Sequence, residues 1–405
     1  MKILQLYYKV PFPARDGGAI ALISGTKCLL AAGFNVKILA MNQSTDDAIT
    51  IEIPKDFGQL TKFECLNLDN RVTVGGALLA FVRNKDYFSS RFFLKMFDVR
   101  LKQLLEQENF DIVQIEHLNL HHYIATVRRY SKAKIVLRSQ NIEHLLWKKI
   151  ACGKSNLLLR IWLGHEAKKL KRLEENISAS VNGIIAISHE DANYFRQIGN
   201  KIPVAAISVG IDFKLPNSEG KQTDSRTTNF YHLGSMDWQP NQEGAKWFFN
   251  TVVPLMNSKG NCSRFHFAGK KMPAELMKWN DEKVYFIQGQ IESVDEFLAD
   301  KDILIVPVLS GGGVRIKILE ALANGKSVIS TTEGAKGLPL EVRNLIQIAQ
   351  DQFEMARMIE ESIGSVNAYR ERAINYSNVI QRHCGFSELG SKFKSFYSGL
   401  LSNDN

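Results

Sequence analysis

Short runs of β-branched and aromatic residues alternate along the whole chain with stretches in which apolar residues recur every three or four positions. In the first half the runs are ILQLYY (3–8), VKILAM (36–41), DIVQIE (111–116), KIVLRS (134–139) and GIIAIS (183–188). Between the first two, AIALISGTKCLLAAG carries apolar residues at helical spacing and closes on Gly33, a C-cap signal. The second half repeats the rhythm with NFYHLG (229–234), RFHFAG (264–269), VYFIQG (284–289), ILIVPV (303–308), SVIST (327–331) and LIQIA (345–349). Three of these six runs end in glycine, where a strand must turn sharply into a loop. Near-continuous apolar strands alternating with helices predict parallel sheets covered on both faces.

Residues 212–228, DFKLPNSEGKQTDSRTT, break the rhythm with a polar stretch containing Pro, Gly and Ser, the composition of a linker. The pattern therefore predicts an α/β protein of two doubly wound, Rossmann-like domains facing a cleft. The first spans 1–207, a linker covers 208–228, and the second spans 229–385. An amphipathic helix at about 386–405 returns to brace the first domain. Ligands in such sheets bind outside the carboxyl ends of the strands.

A length of 405 residues suits two or three domains of about 150 residues each. Five cysteines, scattered and without a C-x-x-C pair, argue against a disulfide framework and a zinc site and suit a reducing cytosol. MKILQLYYKV reads as a first buried strand, not as a signal segment. VTVGGALLAFV and ISASVNGIIAIS fall well short of the ~20 apolar residues of a membrane span. The expected location is cytoplasmic, with peripheral placement at the inner face of the plasma membrane as the variant that charge suggests. The net charge is +9, and thirteen Lys and Arg against two Glu fall between Arg128 and Arg172. Such a patch faces an anion or is simply a solvated helix face. The interleaved LLLRIWLG, with Trp and Leu beside cations, favours an anionic membrane surface. No nucleic-acid motif is present, so nucleic acid is not an expected partner.

The densest chemistry lies in PVLSGGGVRIKILEALANGKSVISTTEGAKGL (307–338). Here a strand runs into Gly311, Gly312 and Gly313 and then into a helix ended by Gly325. Glycines let backbone N–H groups approach an anion at the positive end of a helix dipole. Arg315 and Lys317 sit in the first turn, where cations oppose the dipole unless an anion lies between. Glu320, three residues after Lys317, can accept hydrogen bonds from paired hydroxyls such as those of a ribose. The set fits a nucleoside diphosphate. The bland alternative is a surface Lys317–Glu320 pair worth ~0.3–0.5 kcal/mol beside an ordinary turn.

Here the chain resembles, over nearly its full length, the family-4 retaining glycosyltransferases (glycosyl transferases group 1) of the GT-B fold. Leu319-Glu320-Ala321 matches the end of that family's E-x7-E segment, and Gly312 stands where the first glutamate would be. Gly312 to Ala321 instead fits a subgroup reading G-G-x-R-x-K-x-L-E-A. PFPARDGGAIALI, IIAIS, SVGID, GSMDWQPNQEGAKWF and TEGAKGL resemble further family segments in the same order. The resemblance implies that Gly17 and Gly18 approach the donor phosphates and that Ser235 lies in the donor site. It gives the donor ribose to Glu320, the base to backbone around Gly289 and Ile291, and the diphosphate leaving group to Arg315 and Lys317 as catalytic cations. Preorganised donors aimed at developing charge are commonly the largest catalytic term. No metal and no cofactor beyond the nucleotide-sugar substrate is then expected. The one literal D-x-D, Asp300-Lys301-Asp302, reads as a helix-to-strand corner.

In the first domain, related enzymes read D-I-V-H-x-H where this chain has DIVQIEH. Glu116 is accordingly the candidate catalytic base that orients the acceptor, with His117 pointing the other way along the strand. Its alternative is a polar strand cap. RSQNIEH supplies Arg138, Asn141 and Glu143 as acceptor-side candidates. The implied function is transfer of a sugar from a nucleoside-diphosphate donor to a glycan or lipid-linked saccharide, in bacterial-type surface polysaccharide or glycoconjugate assembly. A degenerate nucleotide-sugar-binding scaffold and a same-fold epimerase are the alternatives. A dinucleotide oxidoreductase is weaker, because no G-x-G-x-x-G follows the first strand.

Overall fold

The computed structural model describes residues 1–14, 16–42, 53–67, 87–198, 202–211, 227–256, 263–363 and 365–402. The chain divides into two compact units, Met1–Gly210 with Phe386–Asn405, and Ile211–Gly385. Residues 212–226 of the expected linker and the segment VTVGGALLAFV lie outside the described residues.

The described strands of the first unit are β1 (Lys2–Tyr7), β2 (Asn35–Asn42), β3 (Glu64–Asn67), β4 (Ile112–Ile115), β5 (Lys134–Ser139), β6 (Gly183–Ala186) and β7 (Val204–Ala206). They pair in the order β3-β2-β1-β4-β5-β6-β7, every pair parallel. In the second unit, β8 (Thr228–Leu233), β9 (Ser263–Ala268), β10 (Tyr285–Gln288), β11 (Ile303–Val306), β12 (Ser327–Thr331) and β13 (Gln347–Ala349) pair in the order β10-β9-β8-β11-β12-β13, again all parallel. The strand order reverses between β1 and β4 in one unit and between β8 and β11 in the other. Crevices for ligands form at the carboxyl ends of such switch points.

Both sheets are buried on two faces, which is why their strands read as continuous apolar runs. Leu4 and Leu6 enter one core of the first unit, while Ile3 and Tyr7 enter the other with Val36, Ile38 and Val136. The helix Phe386–Ser402 closes this second core with Leu389, Phe393, Tyr397 and Leu400. A polar network crosses the same layer. Gln5 Nε2 donates to Glu116 Oε1 at 2.7 Å, Arg138 Nη1 donates to Glu116 Oε2 at 3.0 Å, and Gln114 also donates to Glu116. The Tyr397 hydroxyl donates to Gln114 Oε1, and Thr26 Oγ1 donates to Gln5 Oε1 at 2.6 Å. These bonds tie the last helix to the centre of the sheet.

Glu116 and Arg138 are both fully buried, each side chain 0% exposed. The expectation that Glu116 orients an acceptor and that Arg138 lines its side is corrected here: their functional atoms face the interior and hold one another. A strand residue after Ile115 keeps the period-2 alternation, so Glu116 shares the covered face with Gln114. Replacing Arg138 with Met leaves the Glu116 carboxylate buried without its cation. The expected cost is about 3–5 kcal/mol of stability, read from urea denaturation.

Candidate active site

At the carboxyl end of β8 the chain turns through Gly234 and Ser235 into the helix Gln239–Trp247. At the carboxyl end of β11 it passes through Ser310 to Gly313 into the helix Ile316–Ala323. These two loops flank the switch point, and their side chains meet. Lys317 Nζ reaches back to Asn241 Oδ1 at 3.3 Å, and Asn241 Nδ2 donates to the Ser235 carbonyl at 2.8 Å. Gly234 makes that approach feasible, because a Cβ there would lie 2.6 Å from Lys317 Nζ. The surface Lys317–Glu320 pair is not formed: among the described residues neither Arg315 nor Lys317 makes an ion pair, and Lys317 is half-buried against a neutral amide.

Arg315 is buried and folded onto its own loop. Its Nη1 donates to the Gly312 carbonyl at 2.5 Å and its Nη2 to the Ser310 carbonyl at 3.2 Å. The guanidinium lies 4.7 Å from the centroid of the Trp238 ring, a cation–π contact. Gly311 permits this stack. Its φ is 116°, in the left-handed region, and a Cβ would sit 2.7 Å from Arg315 Nη2 and 2.8 Å from the indole. Two of the five guanidinium N–H donors are thereby used, and Nε has no partner.

Burial lowers the Arg315 pKa to about 10, with Glu333 opposing the shift. Burial, then the Arg315 charge, lowers Lys317 to about 7. Burial raises the Glu320 carboxyl, against the pull of Lys317. Behind them on β8, His232 donates Nδ1–H to the Ile305 carbonyl at 2.9 Å, leaving its buried Nε2 without a partner. Burial and the Lys317 charge push this imidazole far below its usual range, so it is neutral. Two enclosed basic groups side by side touch carbonyls, an amide and an indole, while Glu333 and Glu320 act on them only through their charge. Among the described residues no carboxylate is thus in direct contact with either.

The other donor-side candidates stand on the same rim. Gly269 N–H donates to the Gly289 carbonyl at 3.1 Å and Gly234 N–H to the Ala268 carbonyl at 3.0 Å, so the ends of β8, β9 and β10 are laced into one ledge. Gly289 is exposed and Ile291 half-buried. Asp300-Lys301-Asp302 is a corner before β11: Asp302 Oδ2 accepts Asn229 N–H at 2.8 Å and Lys301 pairs with Asp300. Among the described residues no group of three or more His, Cys, Asp or Glu could hold a metal ion. Asn241, Trp238 and His232 carry no isolated sequence signal. The buried asparagine inside GSMDWQPNQEGAKWF was the trace that could have been followed.

In the first unit, Gly17 and Gly18 open the helix Gly17–Ala31. Its N-terminus already holds a carboxylate, for Asp16 Oδ1 accepts Ala19 N–H at 2.9 Å while Lys9 Nζ bonds both Asp16 oxygens at 2.7 and 2.8 Å. Glu143 meets His117, the neighbour that had been set aside, with Nε2 and Oε1 3.2 Å apart. His117 Nδ1 accepts Asn119 N–H at 3.2 Å, so in the neutral ring Nε2 carries the proton and donates it to Glu143. Glu174 accepts Glu143 N–H at 2.5 Å and also bonds His144. Asp191 stands nearby with Oδ2 unpartnered, its pKa raised to about 6 by burial and by Glu190, Glu174 and Glu143, against its bond to Ser188. Asn141 is half-buried, and its carbonyl accepts Ser139 Oγ at 2.7 Å. Acids and imidazoles thus gather just beyond the carboxyl ends of β4, β5 and β6.

Comparison with known proteins bears on the fold that carries these residues. Residues 227–363, most of the second unit, match the family described as glycosyl transferases group 1. An uncharacterised 44.6 kDa protein in the cps region of Klebsiella pneumoniae is 22% identical over 390 residues, 94% of this chain and 96% of that one. Sucrose-phosphate synthase from Thermosynechococcus elongatus superposes with a TM-score of 0.70 at 15% identity, over 100% of both chains. HepE of Anabaena in complex with UDP-glucose gives 0.64 at 12% identity, covering 98% of this chain and 100% of its own. The lipopolysaccharide outer core galactosyltransferase WaaB gives 0.61 at 13%, covering 98% and 99%. The chain has the GT-B fold, and its residues 227–363 are related to the group 1 glycosyl transferases.

The glycine loop gives a direct test of this geometry. Gly311→Ala places a Cβ on the Arg315–Trp238 stack in a strained backbone region. The expected cost is about 1–3 kcal/mol, seen as a lower urea midpoint. Gly289→Ala, where a Cβ meets nothing within 4 Å, leaves the midpoint unchanged.

Proposed function

We propose that the protein transfers a sugar from a nucleoside-diphosphate donor to a saccharide acceptor, with retention at the anomeric carbon and without a divalent cation. The observation that carries the reading is the pair of enclosed basic groups, Arg315 and Lys317, with no carboxylate in direct contact at the carboxyl ends of β8 and β11. Cleavage of the glycosyl–phosphate bond leaves its electron pair on the diphosphate, and these cations neutralise that charge as it forms. The amides of Gly311, Gly312 and Gly313 and the turn at Ser235 bind the phosphates. Glu320 accepts the two ribose hydroxyls, and backbone at Gly289 and Ile291 meets the base. In the first unit Gly17 and Gly18 bear on the donor phosphates, while Asn141 and the His117–Glu143 pair orient the acceptor hydroxyl. Glu116 and Arg138 hold the sheet that carries them. Similarity to WaaB and to a protein of a cps region supports an acceptor among surface glycans. Retention rests on the resemblance to the family-4 enzymes.

Thermal denaturation with UDP, GDP and ADP and their sugars, in magnesium and then in EDTA, tests the donor site. One nucleotide at about 100 times its Kd should add about 2.7 kcal/mol, equally in EDTA. Arg315→Ala and Glu320→Ala should each lower transfer about 100- to 1000-fold while the unliganded protein stays folded. The Arg315 variant should melt at a shifted temperature, because it loses the Trp238 stack and two loop hydrogen bonds. Full activity in both variants would remove these residues from the site. Nucleotide binding with no transfer to any glycan acceptor would make the chain a sugar-nucleotide-binding protein instead.

Lys317 adds a pH signature. With its free pKa near 7, the lysine is mostly neutral at pH 8 and must take up a proton to face a diphosphate. Nucleotide affinity should therefore be flat below pH 7 and fall by up to about tenfold per pH unit above it. Lys317→Met should flatten that slope. Calorimetry in two buffers of different ionisation enthalpy, at pH 8, reads the proton uptake directly.

A further inference from the structure

The helix Leu157–Ile177 carries two apolar faces. Leu163, Ala167, Leu170 and Ile177 lie along its buried side. In its first turns, the outward side presents Leu157, Leu158 and Ile161, which are 64%, 79% and 61% exposed. Leu145, on the preceding helix Glu143–Cys152, is 44% exposed. The leucine turn is held in place. Asn156 Oδ1 accepts Leu159 N–H at 3.0 Å as its N-cap, and Phe88, Trp147, Trp162, Ala151 and Leu163 pack beneath the two helices, with the Phe88 and Trp147 rings stacked 3.7 Å apart.

The charge around these leucines has one sign. Lys148, Lys149, Lys154, Arg160 and Lys168 are exposed, whereas further along the helix Lys171 pairs with Glu175 at 3.5 Å. Between Glu143 and Glu174 the single acid is Glu166, which is buried and bonded to Lys169 at 3.0 Å. Apolar side chains ringed by cations match a surface that is anionic at the headgroup and apolar just below it. A nucleic-acid backbone would use the cations and leave the leucines in water. A second copy of this face would bring like charges together. No described helix is long and apolar enough to cross a membrane, so the fitting geometry is a helix lying on the bilayer.

We propose that the first turns of the helix Leu157–Ile177 dock the protein on an anionic lipid bilayer, with Leu157, Leu158 and Ile161 entering the acyl boundary and Lys148, Lys149, Lys154 and Arg160 meeting headgroup phosphates. This inference stands apart from the transferase reading, since it uses neither the donor site nor any acceptor.

Vesicles of phosphatidylglycerol mixed with phosphatidylcholine, against phosphatidylcholine alone, test it by co-sedimentation of the full chain in about 50 and about 500 mM salt. Wild-type protein should pellet with the anionic vesicles at low salt, and little with the neutral ones. Leu158→Glu with Ile161→Glu should weaken binding at least tenfold. Lys148→Gln with Lys154→Gln should weaken it by about fivefold per charge and reduce the salt dependence. Both variants should melt like wild type, because the altered side chains are exposed. No binding to anionic vesicles at low salt overturns the proposal, as does binding that the leucine variant leaves intact. So does a wild-type dimer that the leucine variant dissolves, which would assign the face to a second copy.

Discussion

A cation removed from water must be compensated, and the second unit is arranged around two that are not. Arg315 and Lys317 enter the helix Ile316–Ala323 at its positive end, where the dipole and each other's charge both oppose them. Carbonyls of Ser310 and Gly312, the Trp238 ring and the Asn241 amide soften that cost without cancelling it. The glycines of the loop and the glycine after β8 are conditions for these contacts, since a Cβ at Gly234 or Gly311 would occupy the space of the cation itself. The free protein thus holds a charge deficit at a switch point of its sheet, and an anionic ligand relieves it.

The first unit solves the opposite problem. Its buried arginine, Arg138, bonds Glu116 and the Ala21 carbonyl through Nη1, and Gln5 and Gln114 donate to the same carboxylate, although Arg138 Nε and Nη2 have no partner. Compensation of this kind makes a rigid, specific core and leaves little driving force for a ligand. Two buried basic side chains of similar composition thus have different prospects, decided by whether a carboxylate lies within reach. Glu116 and Glu320 both occupy motif-like positions in sequence, yet one neutralises a cation and the other has its pKa raised by enclosure.

That distinction marks the limit of what could be read along the chain. Eleven apolar runs correspond to strands because parallel strands buried on both faces write their environment directly into composition. β3 and β7 left no such trace: Glu64–Asn67 and Val204–Ala206 are short strands at the two sheet edges, half-exposed, and their residues carry mixed polarity or none that stands out. The cluster of Arg315, Lys317 and Glu320 was legible because its residues are close in sequence and break the dipole rule. Asn241 and His117 were not, since their partners Lys317 and Glu143 lie 76 and 26 positions away and only the sheet topology joins them. Glu116 misled for a related reason. A carboxylate at a strand end looks alike in sequence whether it faces solvent or a guanidinium.

The last helix gives the chain an order of assembly. Tyr397 bonds Gln114 across 283 residues, and Leu389, Phe393 and Leu400 complete a core begun by Ile3. The second unit lies entirely between those partners in sequence, so it is synthesised in full before the first unit can close. On the ribosome the earlier-made half therefore waits with part of one face of its sheet uncovered, beside the cover that Leu22, Leu29 and Phe57 supply, while the later-made half can fold as a finished piece. Loop closure over such a distance is slow and favours local structure first. The first unit, although first to emerge, lacks part of its core until the helix Phe386–Ser402 has left the ribosome.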